Sequence, residues 1–281
     1  MHKLSKKKLR KSLHRTFAYR LYRFYKTFHQ TPGSERINIV VISGVAKGLG
    51  RLLSIFFHKE GYTVIGIDIK PSGQLDDQTK TALTEYIQFD LGELEGIEEM
   101  LNGIIKKHER IDLLINNAGI LNFKLLHHYT VDEIKEMVNV NLTSVMIMIK
   151  CILPHMINRG FGRIINISSN SAFEAEDKFG VYSPTKAGVM MLSDAVARLI
   201  DNKLSGSITI NSVNPQRINT PEYLSENPDV KESSLIPPAK VFRMILRIVK
   251  SEVNGGTFTI IRFRFRITYF LHFFQRMFLP F

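Results

Sequence analysis

Ile37-Asn38-Ile39-Val40-Val41-Ile42-Ser43-Gly44-Val45-Ala46-Lys47-Gly48-Leu49-Gly50 joins a β-branched run to a turn carrying three glycines, and a helical stretch from Arg51 to Lys59 follows. Glycines where a strand turns into a helix let the backbone approach a pyrophosphate, and the free N–H groups of the helix start bind its charge. Gly61 stops that helix, and Thr63-Val64-Ile65-Gly66-Ile67 reads as a second strand ending at Asp68. Asp68 lies eighteen residues after Gly50, close to the roughly 20 expected for the acid that binds adenosine ribose hydroxyls. A strand-end aspartate alone is usually a solvated residue. Strand, glycine turn, helix, strand and acid in this order predict a dinucleotide site.

Further along, Tyr182-Ser183-Pro184-Thr185-Lys186 places a tyrosine and a lysine four apart, on the same face of a helix. A free phenol, with pKa about 10, is a poor proton donor or acceptor at neutral pH. A neighbouring ammonium favours the phenolate and is expected to move that pKa toward the working range. Ser169 stands thirteen residues upstream, after the apolar run Ile164-Ile165-Asn166-Ile167, which reads as a buried strand ending in hydroxyls. Strand tips are where an open α/β sheet presents its chemistry. By itself a Tyr-x-x-x-Lys spacing is an ordinary surface pair; the upstream dinucleotide pattern gives it weight.

Together these residues resemble the short-chain dehydrogenase/reductase family, over about Ile37 to Phe258. Ser43-Gly44-x-x-x-Gly48-x-Gly50 is similar to the family's Thr-Gly-x-x-x-Gly-x-Gly, with serine for threonine. The resemblance implies that Asp90-Leu91, after Tyr86-Ile87-Gln88-Phe89, contacts adenine. It implies that Asn116-Asn117-Ala118-Gly119 ends the fourth strand and supports the central sheet. Asn141, Ser169, Tyr182 and Lys186 match the family's catalytic set, and Thr220 matches the threonine that bonds the nicotinamide carboxamide. The implied cofactor-binding residues are Ser43, Gly44, Lys47, Gly48, Gly50, Asp68, Asp90, Leu91, Asn117, Lys186 and Thr220. Lys47 would attract a 2′-phosphate and Asp68 would repel one, so NAD is expected, with NADP the alternative.

The implied reaction is hydride transfer between nicotinamide and a carbonyl/alcohol pair. Ser169 would bond the substrate oxygen, Tyr182 would exchange its proton, and Lys186 would lower the tyrosine pKa and bind the nicotinamide ribose. Asn141 would hold the water that links the lysine to solvent. One departure stands out: Pro215 is followed by Gln216, where the family usually has glycine. A side chain there reshapes the pocket beside the nicotinamide. The stretch Asn214 to Pro221 is also similar to reductases attached to cytidylyltransferases in ribitol-nucleotide synthesis. This suggests a polyol or sugar-phosphate substrate, with Arg217 as phosphate ligand or, equally, as a solvated loop residue. A lipophilic substrate is the other option.

The expected architecture is α/β, a doubly wound parallel (Rossmann-like) sheet in a single domain over residues 37–261, because strand-like and helix-like segments alternate. Thr257-Phe258-Thr259-Ile260-Ile261 is the expected last strand. The polar stretch Pro221 to Ser234 is the expected mobile substrate loop. Cys151, the single cysteine, excludes an intrachain disulfide, fits a reducing, cytoplasmic compartment, and is expected to be a buried structural thiol. No metal-ligand spacing occurs, and His127-His128 lacks a third ligand.

The formal net charge of +12 is unevenly placed. Residues 1–36 hold eleven Lys/Arg and one acid, so the catalytic domain is close to neutral. Leu9, Leu13, Phe17, Leu21, Phe24 and Phe28 recur at helical spacing among the cations. Such an arm suits an interfacial helix peripheral to a membrane; a disordered basic tail and a mitochondrial targeting segment are the alternatives. The basic, aromatic tail of residues 262–281 would lie in an interface, pack on a sister subunit of a homo-oligomer, or cover the sheet. Two competing functions remain: an inactive family-like nucleotide-binding module, and nucleic-acid binding through the arm. The arm has the charge for nucleic acid but no recognisable module.

Overall fold

Among the described residues, seven parallel strands form one sheet in the order β3-β2-β1-β4-β5-β6-β7. The computed structural model describes residues 37–204 and 207–260. The basic arm of residues 1–36, with its expected membrane contact, and the tail of residues 262–281 lie outside the described residues.

The strands are β1 (Ile39–Ser43), β2 (Thr63–Asp68), β3 (Glu85–Gln88), β4 (Leu113–Asn116), β5 (Phe161–Ile167), β6 (Ser207–Pro215) and β7 (Thr257–Ile260). Every residue of β1, β4 and β5 is buried, as expected of central parallel strands covered on both faces. One face is covered by α1 (Gly48–Lys59) and by α8 (Pro238–Val249). There Phe57 meets Phe242 edge-on, with ring centroids 5.1 Å apart. The other face is covered by α3 (Ile97–His108), α5 (Ser144–Arg159) and α6 (Tyr182–Lys203), which bury Leu101, Ile104, Met148, Ile152 and Val189 against Val41, Leu114 and Ile164. Three shorter helices complete the order: α2 (Asp77–Ala82), α4 (Val131–Val138) and α7 (Pro221–Glu226).

Two features of the chain direct side chains toward the crevice. Thr130 and Glu133 form a reciprocal capping box that starts α4. Between α4 and α5 the helix widens into a π turn over Asn139–Thr143. A π turn offsets the helical register, a device that recurs at functional sites, and here it buries Asn141 completely.

The strand order reverses between β1 and β4, so the crevice opens beyond their carboxyl ends, where such sheets bind ligands. The stretch expected to be a mobile loop is better ordered than its composition suggests. It contains α7 and a short 3-10 turn, Glu232–Ser234. Its base is pinned where Ile218 bridges Ile236, with Asn219 N–H donating to the Ile236 carbonyl at 2.9 Å. Cys151 is half-buried on α5 rather than fully enclosed, and burial pushes its thiol pKa up.

Candidate active site

The glycine turn is held by β4. Ser43 Oγ accepts hydrogen bonds from the N–H groups of Asn117 and Ala118, at 3.0 and 3.1 Å. Asn117 Nδ2 in turn donates to the carbonyls of Ser43 and Gly44. Gly44 has φ +74°, and a Cβ there would lie 2.8 Å from the Ala118 Cα, so this turn admits only glycine. Lys47, exposed, is the N-cap of α1 but makes no side-chain capping bond, and the first turn of α1 holds no acid. The helix start therefore offers unbonded N–H groups and an uncompensated positive dipole end, which suits a pyrophosphate.

Asp68, at the tip of β2, reaches into the same turn. Its Oδ2 accepts from Ala46 N–H at 2.8 Å and its Oδ1 from Lys70 N–H at 3.1 Å. Asp90 accepts from Gly92 N–H, and Leu91 beside it is buried. Thr220, buried, caps α7 by accepting from Tyr223 N–H. Gln216 is half-buried, and its N–H donates to the Ile260 carbonyl, tying the end of β6 to β7. These positions fit a dinucleotide laid across the carboxyl ends of β2, β1 and β4.

Ser169 follows β5, and Tyr182 and Lys186 lie on the first turns of α6. Ser169 Oγ accepts from the Ser171 N–H at 3.2 Å, and its hydroxyl stands close enough to Tyr182 to lower the phenol pKa. Lys186 Nζ lies 5.6 Å from the centre of the Tyr182 ring and donates to the Ile167 carbonyl at 3.1 Å. A Cβ placed on Gly119 would lie 3.1 Å from Asn141 Oδ1 and 3.3 Å from Lys186 Nζ. All four residues expected to be catalytic thus converge where β4, β5 and α6 meet.

Two expectations change. Burial pushes the Tyr182 phenol up from its ordinary value, opposed by the neighbouring Ser169 hydroxyl. Burial also brings Lys186 down to about 8. Desolvation penalises both charged forms, so burial favours the neutral phenol and brings the Lys186 ammonium, still the main form at pH 7, closer to its neutral amine. Asn141, in addition, has its side chain fully engaged. Oδ1 accepts from Ile120 N–H, while Nδ2 donates to the Ile120 carbonyl and to Thr185 Oγ1. Its amide clamps the loop after β4 to α6. Sequence reasoning missed Thr185, which also donates to the Tyr182 carbonyl. Its place within the Tyr182–Lys186 segment was the available signal. His127 and His128 pack on each other, with ring centroids 4.2 Å apart.

The lysine makes a testable contribution to stability. Its pKa falls from 10.5 in the unfolded chain to about 8 in the fold. Between those values the unfolded state binds more protons, so stability rises with pH through the window and the cost is largest below pH 8. Lys186→Met removes that cost, ~3 kcal/mol at most, offset by ~1–3 kcal/mol for the orphaned Ile167 carbonyl. Urea unfolding at pH 7 and pH 10 isolates the charge: the variant should gain on wild type at pH 7 and lose that relative gain by pH 10. A difference independent of pH would refute the burial cost.

A short chain dehydrogenase family model matches residues 38–231. The chain is a short-chain dehydrogenase. The 3-oxoacyl-(acyl-carrier-protein) reductase FabG of Thermotoga maritima is 30% identical to it over 233 residues, covering 78% of this chain and 93% of the relative. The corresponding FabG of Buchnera aphidicola is 31% identical over 212 residues, covering 72% and 82%. Among solved structures, ElxO with NADP bound superposes with a TM-score of 0.71 at 25% identity, over 80% of this chain and 98% of that one. The dehydrogenase is accordingly an NAD(P)-dependent oxidoreductase acting on a carbonyl/alcohol pair. The family match begins beyond the basic arm.

Proposed function

We propose that this dehydrogenase interconverts a carbonyl and an alcohol with Tyr182 as the proton-exchanging group and NAD(H) as the preferred nucleotide. The observation that carries the reading is the convergence of Ser169, Tyr182 and Lys186, with Lys186 Nζ 5.6 Å from the centre of the Tyr182 ring and the Ser169 hydroxyl acting on the same phenol. Bound nicotinamide supplies or accepts the hydride. Ser169 holds the substrate oxygen, and Tyr182 gives that oxygen its proton in reduction and takes it back in oxidation. Lys186, charged in the working enzyme, stabilises the phenolate that remains. Asn141 and Thr185 are positioning residues that hold the loop after β4 against the lysine. Turnover by the purified full chain across a carbonyl and alcohol panel tests this; nucleotide binding without turnover of any member would instead indicate an inactive binding module.

Asp68 carries the nucleotide preference. Its carboxylate is fixed by two backbone donors at the tip of β2, so it accepts from free ribose hydroxyls and repels a 2′-phosphate. Lys47 lies exposed on the other side of the turn and does not cancel it. The ratio of kcat/KM for NAD(H) over NADP(H) should exceed unity and fall at least ~10-fold in Asp68→Ala, one like-charge contact being worth over about 1.4 kcal/mol. A wild-type preference for NADP(H), unaltered by the substitution, would reverse the assignment.

A further inference from the structure

The proton-exchanging phenol stands at the inner end of a row of aromatic rings. Phe179 lies 5.7 Å from Tyr182, and Phe123 lies 5.4 Å from Phe179, centroid to centroid. The row is built by the backbone, since Lys124 and Phe179 form an isolated parallel bridge that joins the loop after β4 to the segment before α6. Its outer end is open: Phe123 is 57% exposed. Phe173, four residues beyond Ser169, is 42% exposed. Large aromatic faces left in water beside a reacting group cost hydrophobic free energy that an apolar ligand would recover.

The charges around this row disfavour an anionic substrate. The segment Glu174-Ala175-Glu176-Asp177-Lys178 carries three carboxylates and one ammonium, and all five residues are exposed. Two cations of the surrounding loops are already matched with acids. Lys124 pairs with Glu133, and Arg217 pairs with Glu176 at 3.6 Å. A phosphate approaching Arg217 would have to displace Glu176 and then sit beside its carboxylate. The Arg217–Glu176 pair therefore weighs against a sugar-phosphate substrate.

We infer that Phe123 and Phe179 form a subsite for the apolar portion of the substrate, so that the carbonyl reduced at Tyr182 is borne on an alkyl, acyl or aryl chain rather than on a polyol phosphate. The inference rests on Tyr182 as the reacting group. The chain lies along the rings with its carbonyl at Ser169 and Tyr182 and its far end toward solvent past Phe123. Phe179, the inner ring, sets the direction of entry, and Phe123 supplies area.

Occupancy is measured apart from turnover by calorimetric titration of full-length Tyr182→Phe with NADH present, using 2-decanone and ribulose 5-phosphate as probes. The ketone should bind more tightly than the sugar phosphate. Phe123→Ala in the same background should weaken the ketone about 10-fold, as expected for losing roughly 1.4 kcal/mol of ring contact, and leave the sugar phosphate unchanged. Phe123 is exposed, so this substitution does not threaten the core. Tighter binding of ribulose 5-phosphate, no binding of the ketone, or ketone affinity indifferent to Phe123 overturns the inference. Turnover is read separately in wild type. If the ketone binds as expected but no carbonyl is turned over, the catalytic assignment fails while the apolar subsite stands.

Discussion

Tyr182→Phe should lower kcat by about 10²–10⁴-fold, the range of general acid–base catalysis, while nucleotide affinity stays close to wild type. The substitution removes one buried phenol oxygen beside Ser169, a change of about 1 kcal/mol or less in stability. The ring remains packed between Phe179 and the Lys186 ammonium. Lys186 keeps its own bond to the Ile167 carbonyl, so the lysine does not depend on the phenol for its position. Steady-state kinetics with titration of the nucleotide separates the effects. Turnover equal to wild type would show that the substrate proton moves by another route; loss of nucleotide binding in parallel would show a structural role instead.

The second large effect is expected at Gly50. A Cβ on this residue would stand 2.0 Å from the Gly44 carbonyl oxygen and 2.4 Å from Asn117 Nδ2. The first obstacle is backbone, so relief requires the whole turn to shift, and the turn is itself bonded to Ser43 and Asn117. Gly50→Ala should therefore cost roughly 1–3 kcal/mol of stability, as overpacking does, and weaken nucleotide binding by tenfold or more as the cradle opens. Gly103, on α3, is the control: a Cβ there meets nothing within 4 Å. Gly103→Ala should gain about 0.5–1 kcal/mol from helix propensity and leave nucleotide binding alone. Urea unfolding and nucleotide titration of both variants provide the comparison. A Gly50→Ala protein as stable and as tightly binding as wild type would disprove the close-packed turn.

The chain made its nucleotide half legible because each requirement there is local: β-branched residues for β1, glycines for the turn, an acid at the tip of β2. The boundaries moved for identifiable reasons. β1 starts at Ile39 instead of Ile37 because the N–H groups of Asn38 and Ile39 donate to the buried carboxylate of Asp112. β5 begins at Phe161, before the apolar run, because Arg163 spends its guanidinium on the carbonyls of Val249 and Ser207 and so enters a buried strand. The candidate catalytic residues were legible by type and spacing, whereas the effect of burial on their ionisation was not. Proximity of an ammonium argues for a lowered phenol pKa, but burial, which no spacing records, drives both groups toward neutrality. The aromatic row was equally hidden, since Phe123 and Phe179 are brought together by a bridge between two loops far apart in the chain.

The strand order also dictates what the ribosome can deliver in finished form. No two sequential strands are joined by a hairpin, and β1 waits for Leu113–Ile115 before its second neighbour exists. Parallel pairing of this kind requires long loop closure before any contact rewards it, which makes it slow and exposes intermediates. The last such wait belongs to β6, whose buried Val213 and Pro215 face β7 at Phe258 and Ile260. A chain halted before Thr257 would present β6 as a long unpaired edge, the feature that recruits other chains into aggregates. Nascent chains of this protein are therefore most vulnerable between the emergence of β6 and that of β7, with the nucleotide half already encoded and the strand that covers β6 still to come.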